Sequence, residues 1–542
     1  MLKKNLWIIP VLILFGFSCN TAHRKGSNEK LISKNRPNIL FIMSDDHAYQ
    51  AISAYNKTLI HTPNIDRIAN EGILFTNASV TNSICAPSRA TILTGKHSHI
   101  HGKIDNLSPF DTNQVTFPQL FQEAGYQTCM FGKLHFGNQP KGIDEFMILP
   151  GQGNYINPDF ITTNGDVVTL TGYATDIITD LAIDWLDEKR DKEKPFLMMY
   201  LHKAPHRAWW PKPEKFEAFS KHTFPEPESL FDDYENRGTA AKTAEMNILH
   251  DMLLSNDCKV LPEAMAELGI IPDLRDKNLF EYGDLSRASQ AQRALYMKTI
   301  DSISNHFTAH WPAMTDKEKM KWKYQRYIQD YLACISSVDD NVGRILKYLE
   351  ENQLTESTLV VYTSDQGFYL GEHGWFDKRF MYNESFKTPL MIRWPNEIKA
   401  GTTSDELVQN LDFAQTFLEA ADIEIPTDMQ GESLIPILKG NLEKWNRNGV
   451  YYHYYEYPAE HAVKRHYGIA TKQYKLIHFY YDVDEWELYD LEKDPNEMNN
   501  VYAKREYAGI LLNLKNELSE MRIRYKDSQE LDQEFIDRYH PY

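Results

Sequence analysis

A cysteine stands four residues before an arginine in the run Ser83-Ile84-Cys85-Ala86-Pro87-Ser88-Arg89-Ala90-Thr91-Ile92-Leu93-Thr94-Gly95. The run predicts a helix that starts at Cys85: Pro87 falls in the first turn, where a missing N–H costs nothing, and Gly95 marks the stop. Cys85 and Arg89 then share one face at the positive end of the helix dipole. Free backbone N–H groups there, together with a guanidinium, would hold a tetrahedral oxyanion. The competing reading is a small buried hydrophobe, the commonest fate of a free cysteine.

Four apolar runs end in residues that could work beside that helix. Asn38-Ile39-Leu40-Phe41-Ile42-Met43 reads as a buried parallel strand and ends in Ser44-Asp45-Asp46-His47, and Leu359-Val360-Val361-Tyr362-Thr363 repeats the design and ends in Ser364-Asp365-Gln366-Gly367. Tyr126 to Phe131 runs into Gly132-Lys133-Leu134-His135, and Phe196 to Leu201 into His202-Lys203-Ala204-Pro205-His206. Ligands in open α/β sheets bind beyond the carboxyl ends of strands, so two runs ending in acids aim carboxylates into one crevice where they can share a cation. Taken singly, an Asp-Asp pair after a strand is more often a helix cap, and a loop lysine or histidine is usually just solvated. The weight lies in four strands that deliver acids, lysine and histidines to one edge, together with the Cys85 helix start. Helical patterns between them, Thr116 to Gly125 and Ala174 to Glu188, make the order βαβ-like and the fold class α/β.

The 542 residues, 42% of them apolar, allow one large domain and a small one. A formal charge of −18 argues against a nucleic-acid partner and makes any anion site a local exception built from clustered cations or metal. Met1-Leu2-Lys3-Lys4 precedes an apolar run from Leu6 to Phe17 that is too short to span a bilayer and reads as a signal-peptide core. Ser18-Cys19-Asn20 resembles a bacterial lipoprotein cleavage site, so 1–19 is expected to direct export to the periplasm or cell surface, with Cys19 as the lipid acceptor. Gly16 stands where leucine is usual, which leaves simple secretion as the alternative. Residues 20–36 would be a tether, and membrane contact would run through the lipid anchor alone. Five cysteines, two of them assigned other work, do not make a disulfide scaffold.

The pattern Cys-x-Pro-Ser-Arg followed by Leu-Thr-Gly resembles the signature of the type I, formylglycine-dependent sulfatases, in which this cysteine is oxidised to formylglycine. The strand-end segments resemble that family's other motifs and occur in the family's order from Pro37 to about Tyr502. The resemblance implies an alkaline-phosphatase-like central mixed sheet flanked by helices over 37–445, with a helix-patterned insertion at about 211–323. A smaller subdomain over 446–542 would carry an antiparallel sheet, from the alternation Tyr474-Lys475-Leu476-Ile477-His478-Phe479, closed by a helix from Tyr507 to Arg524. It also implies that Asp45, Asp46, Asp365 and Gln366 hold one calcium; many relatives have asparagine or histidine where Gln366 stands, and an amide oxygen still suits calcium. Arg89, Lys133 and Lys378 would surround the sulfate, with Lys387 the alternative to Lys378. Formylglycine at position 85 would attack sulfur, His206 would protonate the departing sugar oxygen, and His135 would help remove the remaining hydroxyl proton so that the aldehyde reforms. The implied partners are a sulfated glycan and a formylglycine-generating maturation enzyme.

The block Gly367 to Asp377, with Asp232-Asp233-Tyr234 and Tyr451-Tyr452-His453-Tyr454-Tyr455-Glu456, resembles the bacterial exo-acting N-acetylglucosamine-6-sulfatases that work on heparan, keratan or mucin glycans. Trp375, Asp377, Arg379 and His466 are the expected sugar contacts. The 31 tyrosines and 10 tryptophans suit a carbohydrate, whose faces pack on aromatic rings. The rivals are a sulfatase for galactose or galactosamine 6-sulfate, a phosphodiesterase of the same superfamily with two zinc ions and a Thr or Ser nucleophile, and a non-catalytic glycan-binding protein. Against the last two stand Cys85 in the nucleophile position and the full set of Arg89, Lys133, His135 and His206. In protein made with the maturation enzyme, tryptic mass spectrometry should show the Cys85 peptide about 18 Da lighter, and Cys85→Ala should abolish sulfate release. Full activity in the alanine variant would contradict the covalent role.

Overall fold

The computed structural model describes residues 36–273 and 283–538, all within one compact unit. The expected signal peptide, Cys19 and all of the tether but Arg36 lie outside the described residues, as does 274–282 of the insertion. Among the described residues no helix is long and apolar enough to cross a membrane.

The apolar runs become the middle of a ten-stranded mixed sheet. Its order is Thr402–Ser404, Ile73–Phe75, Leu390–Arg393, Thr358–Ser364, Asn38–Ser44, Phe196–Leu201, Gln127–Lys133, Glu145–Leu149, Asp159–Thr162, Val167–Thr169. The four strands singled out from the sequence are adjacent and parallel. Both faces of these strands are covered, which is why they read as unbroken apolar runs. Leu40 and Ile42 enter one core and Ile39, Phe41 and Met43 the other, each such side chain contributing roughly 1.5–3 kcal/mol by leaving water. The long helix Asp316–Glu351 closes the first core with a stripe at helical spacing, Tyr324, Tyr331, Ile335, Val338, Val342 and Ile345. The Cys85–Thr94 helix lies against the second, through Ala86, Ala90, Ile92 and Leu93.

Register places the chemistry. Ser44 pairs with Ser364, so the next residues, Asp45 and Asp365, leave the sheet side by side. Leu201 pairs with both Met43 and Gly132, which brings Lys133 and the His202–His206 segment to the same edge. Gly132 has φ +109°, and a Cβ there would stand 1.7 Å from the Leu201 carbonyl oxygen, so only glycine lets the two strands approach.

The insertion differs from its sequence outline. Its boundary at 323 falls inside the Asp316–Glu351 helix, because Tyr324 and the residues beyond it continue the buried stripe without a break. Between Pro213–Phe219 and Gln290–His310 the described residues are mostly irregular, with only the short helices Thr239–Thr243 and Pro262–Glu267 and a single turn at Asp284–Arg287. The C-terminal sheet is an antiparallel meander of Val450–Tyr454, His466–Ala470, Tyr474–Phe479 and Glu485–Asp490, covered by Ala508–Arg524. A further helix, Gln529–Arg538, follows it. His453 ties this end together: its Nδ1 bonds Asp527 at 2.9 Å and its Nε2 accepts from the Tyr480 hydroxyl at 2.8 Å.

Gly132→Ala should destabilise the protein by about 3 kcal/mol or more, read as a lowered denaturant midpoint. Gly509→Ala, where a Cβ meets nothing within 4 Å, should be neutral or stabilising by up to about 1 kcal/mol. Equal midpoints for the two variants would contradict the strand contact.

Candidate active site

Cys85 is the first residue of its helix, and Gly95 in the left-handed region ends it. The expected backbone oxyanion site is largely occupied: the Ala86 N–H is taken by Asn106 Oδ1 at 3.1 Å, Pro87 has none, and the Ser88 N–H bonds the Ile84 carbonyl at 2.9 Å. Anion binding here falls to side-chain cations. The Cys85 Sγ lies 3.4 Å from Asp45 Oδ1 and 3.3 Å from Lys378 Nζ. Burial, then the Asp45 charge, pushes its thiol far above the usual range. Such a shift disfavours the thiolate, so an unmodified Cys85 is a poor nucleophile.

Asp45, Asp46 and Asp365 are fully buried and present oxygens within 4.8 Å of one another. At an effective dielectric near 20, each such like-charged pair costs roughly 3–4 kcal/mol. Three cations oppose that. Arg89 donates from Nε to Asp365 Oδ2 at 2.9 Å and lies 3.6 Å from Asp45, while Lys133 Nζ bonds Asp45 and Lys378 Nζ bonds Asp46. The outcome differs from one carboxyl to the next. For Asp45, burial is outweighed by Lys133, His206 and Arg89, and its carboxyl is held well below the usual range. For Asp46, burial dominates, Lys378 opposes it, and Asp45, Asp365 and Asp377 add to it, pushing the carboxyl up to about 7.

A hard cation fits this cluster. Asp46 Oδ2 and Gln366 Oε1 are buried oxygens with no hydrogen-bond partner, and three carboxylates with an amide oxygen are the donor set a calcium-sized ion takes. Gln366 presents Nε2 to Asp46 rather than Oε1, the orientation that carboxylate repulsion favours without a cation; as a ligand it would turn its amide over.

His206 sits beside the same group, with Nε2 3.8 Å from Asp46 Oδ2 and Nδ1 2.5 Å from the Arg207 carbonyl oxygen. Burial first, then Lys133, holds its ring well below the ordinary imidazole range, and an anionic ester beside it would raise its proton affinity. His135 follows Lys133 by two residues with φ +67°; burial, then Lys133, lowers it to about 2, and its Nδ1 is buried without a partner. Lys387 points elsewhere, bonding Asn77 Oδ1 at 3.1 Å, which leaves Lys378 as the lysine at the site.

Of the expected sugar contacts, two are at the site's rim and two are not. Asp377 pairs with Arg379 and lies 3.3 Å from His461 Nε2, and Arg379 Nε lies 4.0 Å from Glu456. Trp375 is a correction: it is fully buried in a stack with Phe380 at 4.9 Å, Tyr382 at 5.9 Å and Tyr234 at 5.3 Å, and has no free face for a sugar. His466 is a second: its Nδ1 donates to the Lys464 carbonyl at 2.8 Å and its Nε2 accepts the Met381 N–H at 3.1 Å, so both nitrogens serve the fold. Sequence reasoning missed His461, Glu456 and Gln152. Gln152, whose Oε1 accepts from Lys133, and His461, with φ +68°, come from irregular segments without a periodic signal.

A nucleophile-position residue at a helix start, acids at parallel strand ends and three converging cations on a mixed sheet define an alkaline-phosphatase-like ester hydrolase. The sulfatase family model matches residues 37–423, and the model of the N-sulphoglucosamine sulphohydrolase C-terminal region matches 371–524. The chain is 48% identical over 537 residues to an N-acetylglucosamine-6-O-sulfatase of Bacteroides thetaiotaomicron, covering 98% of this chain and 92% of the relative. A solved structure in complex with its substrate D-glucosamine-2-N,6-O-disulfate superposes with a TM-score of 0.86 at 50% identity, over 91% of this chain and 99% of the other. The phosphonate monoester hydrolase of Agrobacterium radiobacter shares the fold, with a TM-score of 0.60 at 20% identity over 90% of this chain and 96% of its own. The chain belongs to the sulfatase family and is a sulfuric ester hydrolase. Members of that family generally use formylglycine and a metal ion, and the Asp45, Asp46 and Asp365 cluster is where this chain would hold the metal.

Between about pH 4 and 7 the folded, metal-free protein keeps a proton on Asp46 that the unfolded chain has released, so its stability should fall as pH rises through that window. Asp46→Asn should flatten this slope in thermal melts. A divalent cation needs the ionised carboxylate, so binding at pH 6 should release close to one proton and weaken about tenfold per unit below pH 7. Calorimetry in two buffers of different ionisation heat counts that proton; an affinity independent of pH would contradict the assignment.

Proposed function

We propose that this sulfatase removes the 6-O-sulfate of N-acetylglucosamine at the ends of heparan, keratan or mucin glycan chains. The observation that carries the reading is the rim of charged groups beside Lys378, where Asp377 is held between Arg379 and His461. Such a ring offers both acceptors and donors to sugar hydroxyls, directly outside the cations that meet the sulfate. The activity of the 48% identical relative supports the same sugar.

Asp45, Asp46, Asp365 and Gln366 would hold calcium, which when bound neutralises charge on the sulfate oxygens. Formylglycine at position 85, made by a maturation enzyme, would supply a hydroxyl nucleophile toward sulfur. The remaining work belongs to the chain's own side chains. Arg89, Lys133 and Lys378 bind the sulfate oxygens and fix the sulfur over position 85. As the bond from sulfur to the sugar oxygen breaks, its electron pair stays on that oxygen and His206 Nε2 delivers a proton to it. His135 is the group that accepts a proton in the second half of the reaction; burial and Lys133 lower its ring to about 2, so that step relies on the anionic sulfate beside it to raise its proton affinity. The amino-terminal signal and Cys19 make this an exported lipoprotein, facing the periplasm or the cell exterior.

On a panel of defined sulfated sugars, the protein should release 6-O-sulfate from N-acetylglucosamine and not from galactose. Asp377→Asn and Arg379→Ala should each lower kcat/KM on that substrate by about 10²-fold, the loss of a charge-assisted contact. Preference for galactose 6-sulfate would overturn the sugar assignment.

A further inference from the structure

Among the described residues the insertion meets the active site in two places: Glu245 pairs with His461 at the rim, its carbonyl 2.6 Å from Nδ1, and two buried carboxylates support the loop of the proposed proton donor His206 by separate routes. Arg207 follows His206 and spans from the rim to the insertion: Nη1 reaches Glu460 at 3.4 Å, beside His461, while Nε and Nη2 donate to the two oxygens of Asp257, each at 2.8 Å. Asp257 is fully buried. Its carboxylate also takes the Leu253 N–H at 2.8 Å and the Asn256 side-chain amide at 3.0 Å, so its orientation is set before Arg207 arrives. The guanidinium lies over the Phe376 ring at 5.0 Å, which blocks a swing toward the substrate side. The same residue's backbone carbonyl accepts the His206 Nδ1–H at 2.5 Å.

On the other side of the loop, the Tyr155 hydroxyl donates to the His206 carbonyl at 2.6 Å. Tyr155 and Ile156 in turn donate their backbone N–H groups to Asp284, the second buried carboxylate that the insertion contributes.

A carbonyl oxygen can only accept, so Nδ1 must keep its proton and the working proton belongs to Nε2. The neutral ring left after donation is the tautomer that the Arg207 carbonyl already holds. The ring's aim therefore depends on where that carbonyl sits, and its position depends on the bidentate pair at the far end of the same residue.

We propose that Asp257 is a positioning residue for His206: through Arg207 it fixes the carbonyl that holds Nδ1 and so presents Nε2 to the departing sugar oxygen. The inference rests on the reading of His206 as proton donor. It gives the insertion a role in the chemistry in addition to whatever it contributes at the pocket mouth.

The experiment is a double-mutant cycle on the matured enzyme with N-acetylglucosamine 6-sulfate. Asp257→Asn should lower kcat by about 10²-fold while leaving KM and inhibition by free sulfate within twofold. In a His206→Ala background, itself slowed by about 10² to 10⁴-fold, Asp257→Asn should cost nothing more. Arg207→Lys keeps the charge but loses the fork, and it should reproduce the Asp257→Asn pattern; it carries the test if the asparagine variant does not fold. Near-wild-type kcat in the Asp257 and Arg207 variants would overturn the proposal, and so would a loss that multiplies in the His206→Ala background or that moves KM and sulfate inhibition as much as kcat. Full activity of His206→Ala alone would instead overturn the reading of His206, a different outcome.

Discussion

Everything at this site depends on three carboxylates that the sheet forces together. Asp45, Asp46 and Asp365 have no freedom to separate, because the register between Asn38–Ser44 and Thr358–Ser364 delivers them to the same edge and both faces of those strands are packed. Their repulsion is met by Arg89, Lys133 and Lys378, each drawn from a different element. These cations are also the groups that would meet a sulfate. A divalent ion held by the carboxylates would supply the counter-charge that Lys133 and Lys378 give them here, leaving those ammonium groups for an anionic substrate. The acids thus stabilise the site in the charged form that binds an anion, inside a chain whose net charge of −18 would otherwise repel one.

The labour is divided by layer. The sheet edge supplies charge, the Cys85 helix supplies the residue that formylglycine formation would modify, and the surrounding loops supply aim. His206 shows the last most clearly, since its ring is held by backbone carbonyl and its loop by Arg207 and Tyr155, whose partners Asp257 and Asp284 both belong to the insertion. On the sugar side, Asp377 is likewise steadied by Arg379 and His461 rather than left on a mobile loop. Both arrangements place a reacting or recognising group on a rigid support, the condition under which positioning contributes most to rate.

Much of this was legible in the chain. Strands buried on both faces leave a strong signature, and the acids, lysine and histidines stand at or within a few residues of their carboxyl ends. Residues of irregular segments left none: His461 and Gln152 have no periodic neighbours, and the importance of Asp257 appears only once Arg207 is seen to reach it. Trp375 and His466 misled for a related reason. An aromatic or a histidine beside a motif looks like a ligand contact until its faces and nitrogens are accounted for, and here the Trp375 ring is stacked among Phe380, Tyr382 and Tyr234 and both His466 nitrogens bond backbone. The helix start at Cys85 offers an anion fewer backbone donors than its sequence promises, because Asn106 takes the Ala86 N–H.

The claim on which the rest stands is that the strand-end acids form one hard-cation site. Elemental analysis of the purified, extensively dialysed protein tests it most directly. One calcium per chain, reduced to a trace when Asp365 is changed to alanine, is the result this account predicts; no retained divalent ion, or a pair of zinc ions, would contradict it.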